Sequence, residues 1–458
     1  MKVDLLKGKI GRTFFLLFIS AIGSTIVQTV YSTVDMICVG HYVGAIGTSA
    51  ISCMNPMWAL IFAPGALTGV GGAVMSANRK GSGNHRAANE YFTVASSLCL
   101  VFSVIIMLAL ILFPSELLVF FGANDPEVLS LALEYTKYVA ISSPTFTMCA
   151  CLATYMRNDG EAIVPTVATV IGGVTNMLLD VLLVFDFGAG MGIGGAGLAT
   201  ATGQTVAFII ILSYYFTKKC SLKLVKPTKT LRKLYRIFSL GFSAFALEMA
   251  FCVTTTVFNN IIVESLTYDH LAVYGTAATV AVFFYSLLNG AGTAMQPIAA
   301  QNYGAGNYLR VVSSLKVALV TATALAVFCF ALVEIFPTTV LRIYMDVNDT
   351  ILRDGPSIMR IYLIAMPFIG VTLVSSFYFQ AVLKQWMCMT IALLRGLILP
   401  ILLALTLPKL FSIGAIWWCM PLTELITFLV TVVFLILNRR ELRRAEAAED
   451  ATVEQAFA

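Results

Sequence analysis

Ala77-Asn-Arg-Lys-Gly81-Ser-Gly83-Asn84 closes one long apolar run, and Ala300-Gln-Asn-Tyr-Gly304-Ala-Gly306-Asn307 closes another, 223 residues later. Gly69 and Gly292 stand at the same offset. Asn124-Asp125 recurs as Asn348-Asp349, Pro144 as Pro367 and Ile193-Gly194 as Ile413-Gly414, at offsets between 220 and 224. The chain is two halves of one pattern, so the fold is settled by what a single half contains.

Around these turns the sequence is apolar. Of 458 residues 59% are hydrophobic and 12% are charged, with mean hydropathy +0.88. Soluble domains carry about 25% charged residues, so neither several soluble domains nor a disordered chain fits. Twelve apolar segments long enough to cross a bilayer are expected at 12–34, 47–77, 91–113, 129–155, 162–185, 193–216, 237–263, 270–300, 311–336, 357–381, 386–408 and 412–437. They are continuous, not alternating, which selects helices over barrel strands. Lys2, Lys7, Lys9 and Arg12 precede the first segment. That run is too long for a cleavable signal and is read as a first span.

The fold class expected is an all-α membrane protein with twelve transmembrane helices in two six-helix lobes. Because six is even, both lobes enter the bilayer in the same sense and are related by a pseudo-two-fold axis along the membrane normal. The expected organisation is a lobe at 1–216, a basic linker at 217–236, a lobe at 237–438 and a mobile polar tail at 439–458. The linker holds Lys218, Lys219, Lys223, Lys226, Lys229, Arg232, Lys233 and Arg236. Most Lys and Arg fall on the side of the linker and the termini, which places both termini in the cytoplasm of a cell-membrane protein. A sequon, Asn348-Asp349-Thr350, falls on the outer side, where a match of this length is expected by chance.

Intramembrane charge is a functional hypothesis by default. Asp35 lies near the outer end of the first span and Asp180 in the fifth, within Asn176-Met-Leu-Leu-Asp180. Asn176 and Asp180 share a helix face. Together these residues offer an oxygen-rich pocket for a proton or for Na⁺; the alternative for Asp35 is an interfacial side chain reaching water. Glu248 in the seventh span has no basic neighbour within a turn. It is expected either to be protonated or to face a wet cavity. Arg395 and Glu424 are expected to form a structural pair.

Other classes of function are excluded or disfavoured. The run Gly188-Ala-Gly190-Met-Gly192-Ile-Gly194-Gly195-Ala-Gly197 contains G-x-G-x-x-G, but spans flank it where a dinucleotide site needs a strand, so it reads as a tight turn and close helix packing. No P-loop motif is present, so no ATPase is expected in the chain. The ten Cys read mostly as small core hydrophobes. His41, His85 and His270 are scattered, which disfavours a metal site or a membrane-embedded enzyme. A net charge of +5 gives no sign of nucleic-acid binding. Aromatic and Met side chains are numerous enough to line a cleft for flat organic cations, although most serve core and lipid-facing packing.

With these residues in hand the chain resembles MATE (multidrug and toxic compound extrusion) transporters over roughly 10–440. The resemblance is carried by Asp35 with Val39-Gly40-His41, the Gly81-Ser-Gly83 and Gly304-Ala-Gly306 loops, Arg157-Asn-Asp-Gly160, Asn176-Met-Leu-Leu-Asp180, and Gln296-Pro-Ile-Ala-Ala-Gln-Asn-Tyr-Gly304. It implies a multidrug efflux antiporter that exchanges cationic or amphipathic compounds for H⁺ or Na⁺. It implies a first-lobe ion site of Asp35, Asn176, Asp180 and Thr200 and a second-lobe acidic site at Glu248, with no cofactor and no obligatory protein partner. Two departures stand out: Ser20 occupies the first-span position where many members carry Pro, and the tenth span, through Thr372 and Ser375, lacks the Asp that some Na⁺-coupled members use. A lipid-linked saccharide flippase is the alternative. It is disfavoured because only Arg395 and Lys316 lie well inside spans.

Overall fold

The repeated stretch folds into the same turn twice. Ser82 N donates to Asn78 O, Gly83 N to Lys80 O and Asn84 N to Arg79 O. In the second copy Ala305 N donates to Gln301 O, Gly306 N to Tyr303 O and Asn307 N to Asn302 O. Gly83 and Gly306 take φ of +78° and +76°, a left-handed conformation that costs glycine little. Each Asn then stands just before the next helix; the Asn84 side chain caps it by accepting from Ala87 N at 3.0 Å.

The structure, a computed structural model, describes residues 4–43, 47, 50–51, 54–121, 123, 125–217, 220–265, 268–344 and 349–457. The expected sequon at Asn348, the repeat residue Asn124, and linker residues Lys218 and Lys219 lie outside them. The long helices are α1 (Ile10–Tyr42), α2 (Asn55–Gly81), α3 (His85–Leu112), α4 (Pro126–Asn158), α5 (Ile163–Val184), α6 (Gly192–Tyr215), α7 (Thr230–Ser265), α8 (Tyr268–Gly304) and α9 (Tyr308–Ile335). Then follow α10 (Asp349–Leu363), α11 (Met366–Ala381), α12 (Gln385–Leu393), α13 (Leu399–Leu410) and α14 (Cys419–Phe457). Short helices Pro114–Phe120 and Pro337–Tyr344 fill equivalent places in the two halves. Among the described residues eleven helical stretches are long and apolar enough to span a bilayer; the expected seventh segment lies in α7. Among the described residues most cysteines are buried, as expected of core hydrophobes.

Three expected segments are interrupted. The tenth breaks between α10 and α11, just before Pro367, which cannot donate to a continuing ladder. The eleventh is split by a π-helical turn, Leu394–Ile398. The twelfth opens with a 3-10 turn, Ile413–Trp418. The tail, expected to be mobile, continues α14 as helix to Phe457, in line with its Ala, Glu and Arg content.

By its contacts the chain divides into two compact units, Met1–Gly8 with Phe15–Cys252, and Lys9–Phe14 with Val253–Ala458. The first turns of α7 thus group with the first unit. The cause is close backbone packing on α2: a Cβ at Gly71 would lie 2.1 Å from Ile237 O, and one at Gly241 would lie 2.0 Å from Leu67 O. Only glycine at both positions permits this approach.

Candidate functional site: buried carboxylates among α1, α4, α5 and α6

The buried face of α5 reads Pro165, Ala168, Gly172, Asn176, Asp180 and Val184, steps of three and four that align on one side of a helix. Gly172 meets Gly203 of α6. A Cβ on Gly172 would come within 2.7 Å of Gly203 O, and one on Gly203 within 2.6 Å of Gly172 O. One turn from each glycine stand Asn176 and Thr200, and the close approach brings Asn176 Nδ2 to 3.2 Å from Thr200 Oγ1. The Gly-rich run completes the arrangement. Gly190 and Gly192 take φ of +62° and +56° in the turn, and Gly197 lets α6 approach α4 so closely that a Cβ there would be 2.7 Å from Tyr135 O. The run is a turn plus packing glycines, as its flanking spans imply.

Tyr135 of α4 links the cluster to α1. Its hydroxyl lies 3.3 Å from Asp35 Oδ2 and 3.3 Å from Thr200 Oγ1. The phenolic proton serves one acceptor at a time; while it goes to Asp35, the Tyr135 oxygen can accept from the Thr200 hydroxyl. Asp35, Tyr135, Asn176, Asp180 and Thr200 are all buried, and Asp180 is wholly so. Asp180 is close enough to Asp35 to feel its charge. Asp35 is therefore enclosed, and the interfacial alternative does not hold.

Among the described residues no hydrogen-bond partner reaches four buried oxygens of the cluster: Asp35 Oδ1, Asn176 Oδ1 and both carboxylate oxygens of Asp180. Among the described residues no Lys, Arg or His pairs with either carboxylate. Native interiors rarely leave acceptors orphaned, and such groups call for an explanation. A proton or a hard cation such as Na⁺ is the class of ligand that an acceptor-only, oxygen-rich pocket takes.

The structure thus brings four expected residues, Asp35, Asn176, Asp180 and Thr200, into one cluster. Glu248 is not joined to them. Of the two expectations for it, a protonated group or one that faces a wet cavity, its exposure agrees with the second. It lies on the α7 face of Gly241, seven residues further along and past the contact with α2. Sequence reasoning missed Tyr135, which no local pattern separates from the other 16 of the 17 tyrosines.

The second unit holds a different polar centre. Arg395 sits in the π-helical turn, and its Nε lies 2.6 Å from Glu424 Oε1. Thr372 Oγ1 is 3.3 Å from Glu424 Oε2, and the guanidinium lies 4.8 Å from the centre of the Tyr285 ring. Thr254 Oγ1 donates to Gly396 O at 2.8 Å, satisfying a carbonyl in the π turn. The expected structural pair is present.

The sequence profile of the MatE family matches residues 20–182 and again residues 244–406. The two matches have the spacing of the internal repeat. Over 438 residues the chain is 25% identical to the multidrug export protein MepA of Staphylococcus saprophyticus, covering 93% of this chain and 94% of that one. To MepA of Staphylococcus aureus strain NCTC 8325 it is 22% identical over 436 residues, with coverage of 93% and 94%. Among solved structures it is similar to a multidrug resistance MATE family transporter of the MOP superfamily in an outward-facing conformation. The TM-score is 0.88 at 20% identity, over 96% of this chain and 98% of that one. It is also similar to a Pyrococcus furiosus MOP superfamily transporter described as having a binding pocket of reverse polarity that suggests a different function. There the TM-score is 0.88 at 19% identity, with coverage of 96% and 98%.

Proposed function

The chain belongs to the MatE family, and from that premise we propose that it is a multidrug efflux antiporter of the cell membrane. It exports cationic or amphipathic organic compounds in exchange for H⁺ or Na⁺ by alternating access. The observation that carries this reading is the pair of buried carboxylates, Asp35 and Asp180, with orphaned oxygens and, among the described residues, no cation beside them.

Two buried carboxylates close together repel when both are ionised. A proton or Na⁺ entering the cluster relieves that repulsion, and its departure restores it. Asp35 is on α1 and Asp180 on α5, so occupancy alters the force between those helices. Tyr135 responds in step: while Asp35 is ionised its hydroxyl favours the carboxylate, and once Asp35 is neutralised it is free to donate to Thr200. Movement of α1 against α4 and α5 then changes the cavity of the first unit and releases the compound. The flippase alternative needs cations free to hold a pyrophosphate, whereas Arg395 is engaged by Glu424.

The test uses purified protein in proteoliposomes with a fluorescent cationic dye. A pH gradient imposed without Na⁺, and a Na⁺ gradient without a pH gradient, are expected to separate the two ions, one of them moving dye against its gradient. Gradient-driven transport that survives Asp35→Asn with Asp180→Asn would refute the reading.

A further inference from the structure

The segment between the two halves is held as a strap along one edge. Cys220 and Leu222 are buried, and Ser221 and Lys80 both bond to the Asp159 carboxylate. Lys223 N donates to Asn89 Oδ1 at 3.2 Å and Val225 N to Thr93 Oγ1 at 3.0 Å. The register is physical: four residues of helix α3 advance about 6 Å, close to the roughly 6.6 Å that two residues of extended chain cover. At the strap's end Thr228 Oγ1 lies 2.8 Å and Lys233 Nζ 2.7 Å from Glu90 Oε2. Arg236 Nη1 reaches the Tyr91 hydroxyl at 3.3 Å. Lys233 and Arg236 are thereby used internally.

The other edge carries unused charge. Lys223, Lys226, Lys229 and Arg232 are exposed, and among the described residues none forms an ion pair. Interleaved with them are apolar side chains that water would not favour: Leu224 is 73% exposed, Leu231 83% and Tyr235 73%. Leu231, Tyr235, Phe238 and Phe242 are spaced four, three and four apart. They form one exposed stripe running from the strap along α7 into its apolar span. A stripe of that kind lies against acyl chains, so the cations at its polar end stand at headgroup depth.

We propose that this edge is a docking surface for anionic phospholipids of the leaflet it faces. Lys226, Lys229 and Arg232 hold the headgroup phosphate, and the acyl chains lie along Leu231, Tyr235, Phe238 and Phe242. The pinned edge fixes the cations in place, so the lipid meets a formed surface and does not have to order a loose loop. Occupancy keeps the strap docked on α3. The inference is independent of the coupling ion and of the exported compound.

The experiment compares retention of phosphatidylglycerol and phosphatidylcholine with matched chains by the purified, delipidated full chain, read by native mass spectrometry. The protein is expected to retain phosphatidylglycerol preferentially. Each cation near an anionic surface contributes about a fivefold factor, so Lys226→Gln/Lys229→Gln/Arg232→Gln is expected to weaken that retention about a hundredfold. These side chains are exposed, and an unchanged thermal midpoint in detergent confirms that the variant is folded. Arg439→Gln/Arg440→Gln/Arg443→Gln removes the same charge from the tail and is expected to retain the lipid. Equal loss in both variants, or no loss in the strap variant, would overturn the proposal. So would displacement of the lipid by soluble glycerol phosphate, which would make the surface a site for free phosphate.

Discussion

The two halves share a turn and a family profile, yet the polar clusters inside their helix bundles differ in charge. The cluster of the first unit encloses two carboxylates, Asp35 and Asp180, with orphaned oxygens and, among the described residues, no cation beside them. The second unit encloses a carboxylate, Glu424, already neutralised by Arg395 at 2.6 Å and supported by Thr372 and Tyr285. At the 224-residue spacing of the two profile matches, Asp35 corresponds to Asn259 and Asp180 to Ala404. Duplication preserved the scaffold, including the Gly83 and Gly306 turns, while each half kept a different use for interior polarity. An unneutralised pair is costly until an ion enters and so suits exchange. A neutralised pair has its partner built in and suits permanence.

The sharpest way to break this contrast is to neutralise the first unit. Asp180→Asn keeps the size of a wholly buried side chain and removes its charge. Gradient-driven dye transport is expected to fall by about 100-fold or more, equivalent to about 2.7 kcal/mol, with an unchanged elution profile in detergent. Transport close to wild type would show that exchange does not use this cluster. The second unit should respond in stability instead. Glu424→Gln leaves Arg395 buried without its partner and is expected to cost about 3–5 kcal/mol, whereas Arg395→Met with Glu424→Gln is expected to be neutral or stabilising. Thermal unfolding in detergent measures both. A double variant as unstable as the single one would mean that the pair does more than neutralise itself.

What could be read from the sequence divides along the same lines. The Gly81-Ser-Gly83-Asn84 turn was legible because turn chemistry is local. Asp35, Asn176 and Asp180 were legible because charge and amide stand out in an apolar run, and Arg395 with Glu424 for the same reason. Tyr135 was not, because its role comes from α4 lying between α1 and α6, which no neighbouring residue marks. Glu90 was hidden too: near a polar loop it looks like a solvated residue, yet it is buried and paired with Lys233. The exposure of Glu248 is a tertiary fact that periodicity does not carry.

Smaller changes sharpen the account of how the carboxylate cluster is built. Gly203→Ala places a methyl 2.6 Å from Gly172 O and 2.8 Å from the Asn176 Cβ, so α5 and α6 must part. Overpacking of this kind costs about 1–3 kcal/mol. Because the Asn176–Thr200 bond lies one turn away, transport is expected to drop about tenfold, a factor of about 1.4 kcal/mol. Wild-type transport rates in a destabilised Gly203→Ala protein would show that the glycine serves packing alone.

The smallest expected effect tests the link between α1 and the rest of the cluster. Tyr135→Phe removes one hydroxyl and keeps the ring, so packing in the first unit is preserved. Asp35 Oδ2 loses the donor at 3.3 Å and joins Oδ1 as an orphan. The ion-free cluster is then less well satisfied, by about 0.5–1.5 kcal/mol for one hydrogen bond, while the ion-bound cluster loses less, since the ion satisfies the carboxylate. The coupling ion is therefore expected to bind more tightly, and half-maximal transport should shift to a two- to tenfold lower ion concentration. Release should slow by a similar factor and lower the maximal rate. A titration of initial rate against the coupling ion checks both. A lower maximal rate with an unmoved midpoint would mean that Tyr135 only holds α4 in place. A shifted midpoint would make it the positioning residue through which α1 senses the ion.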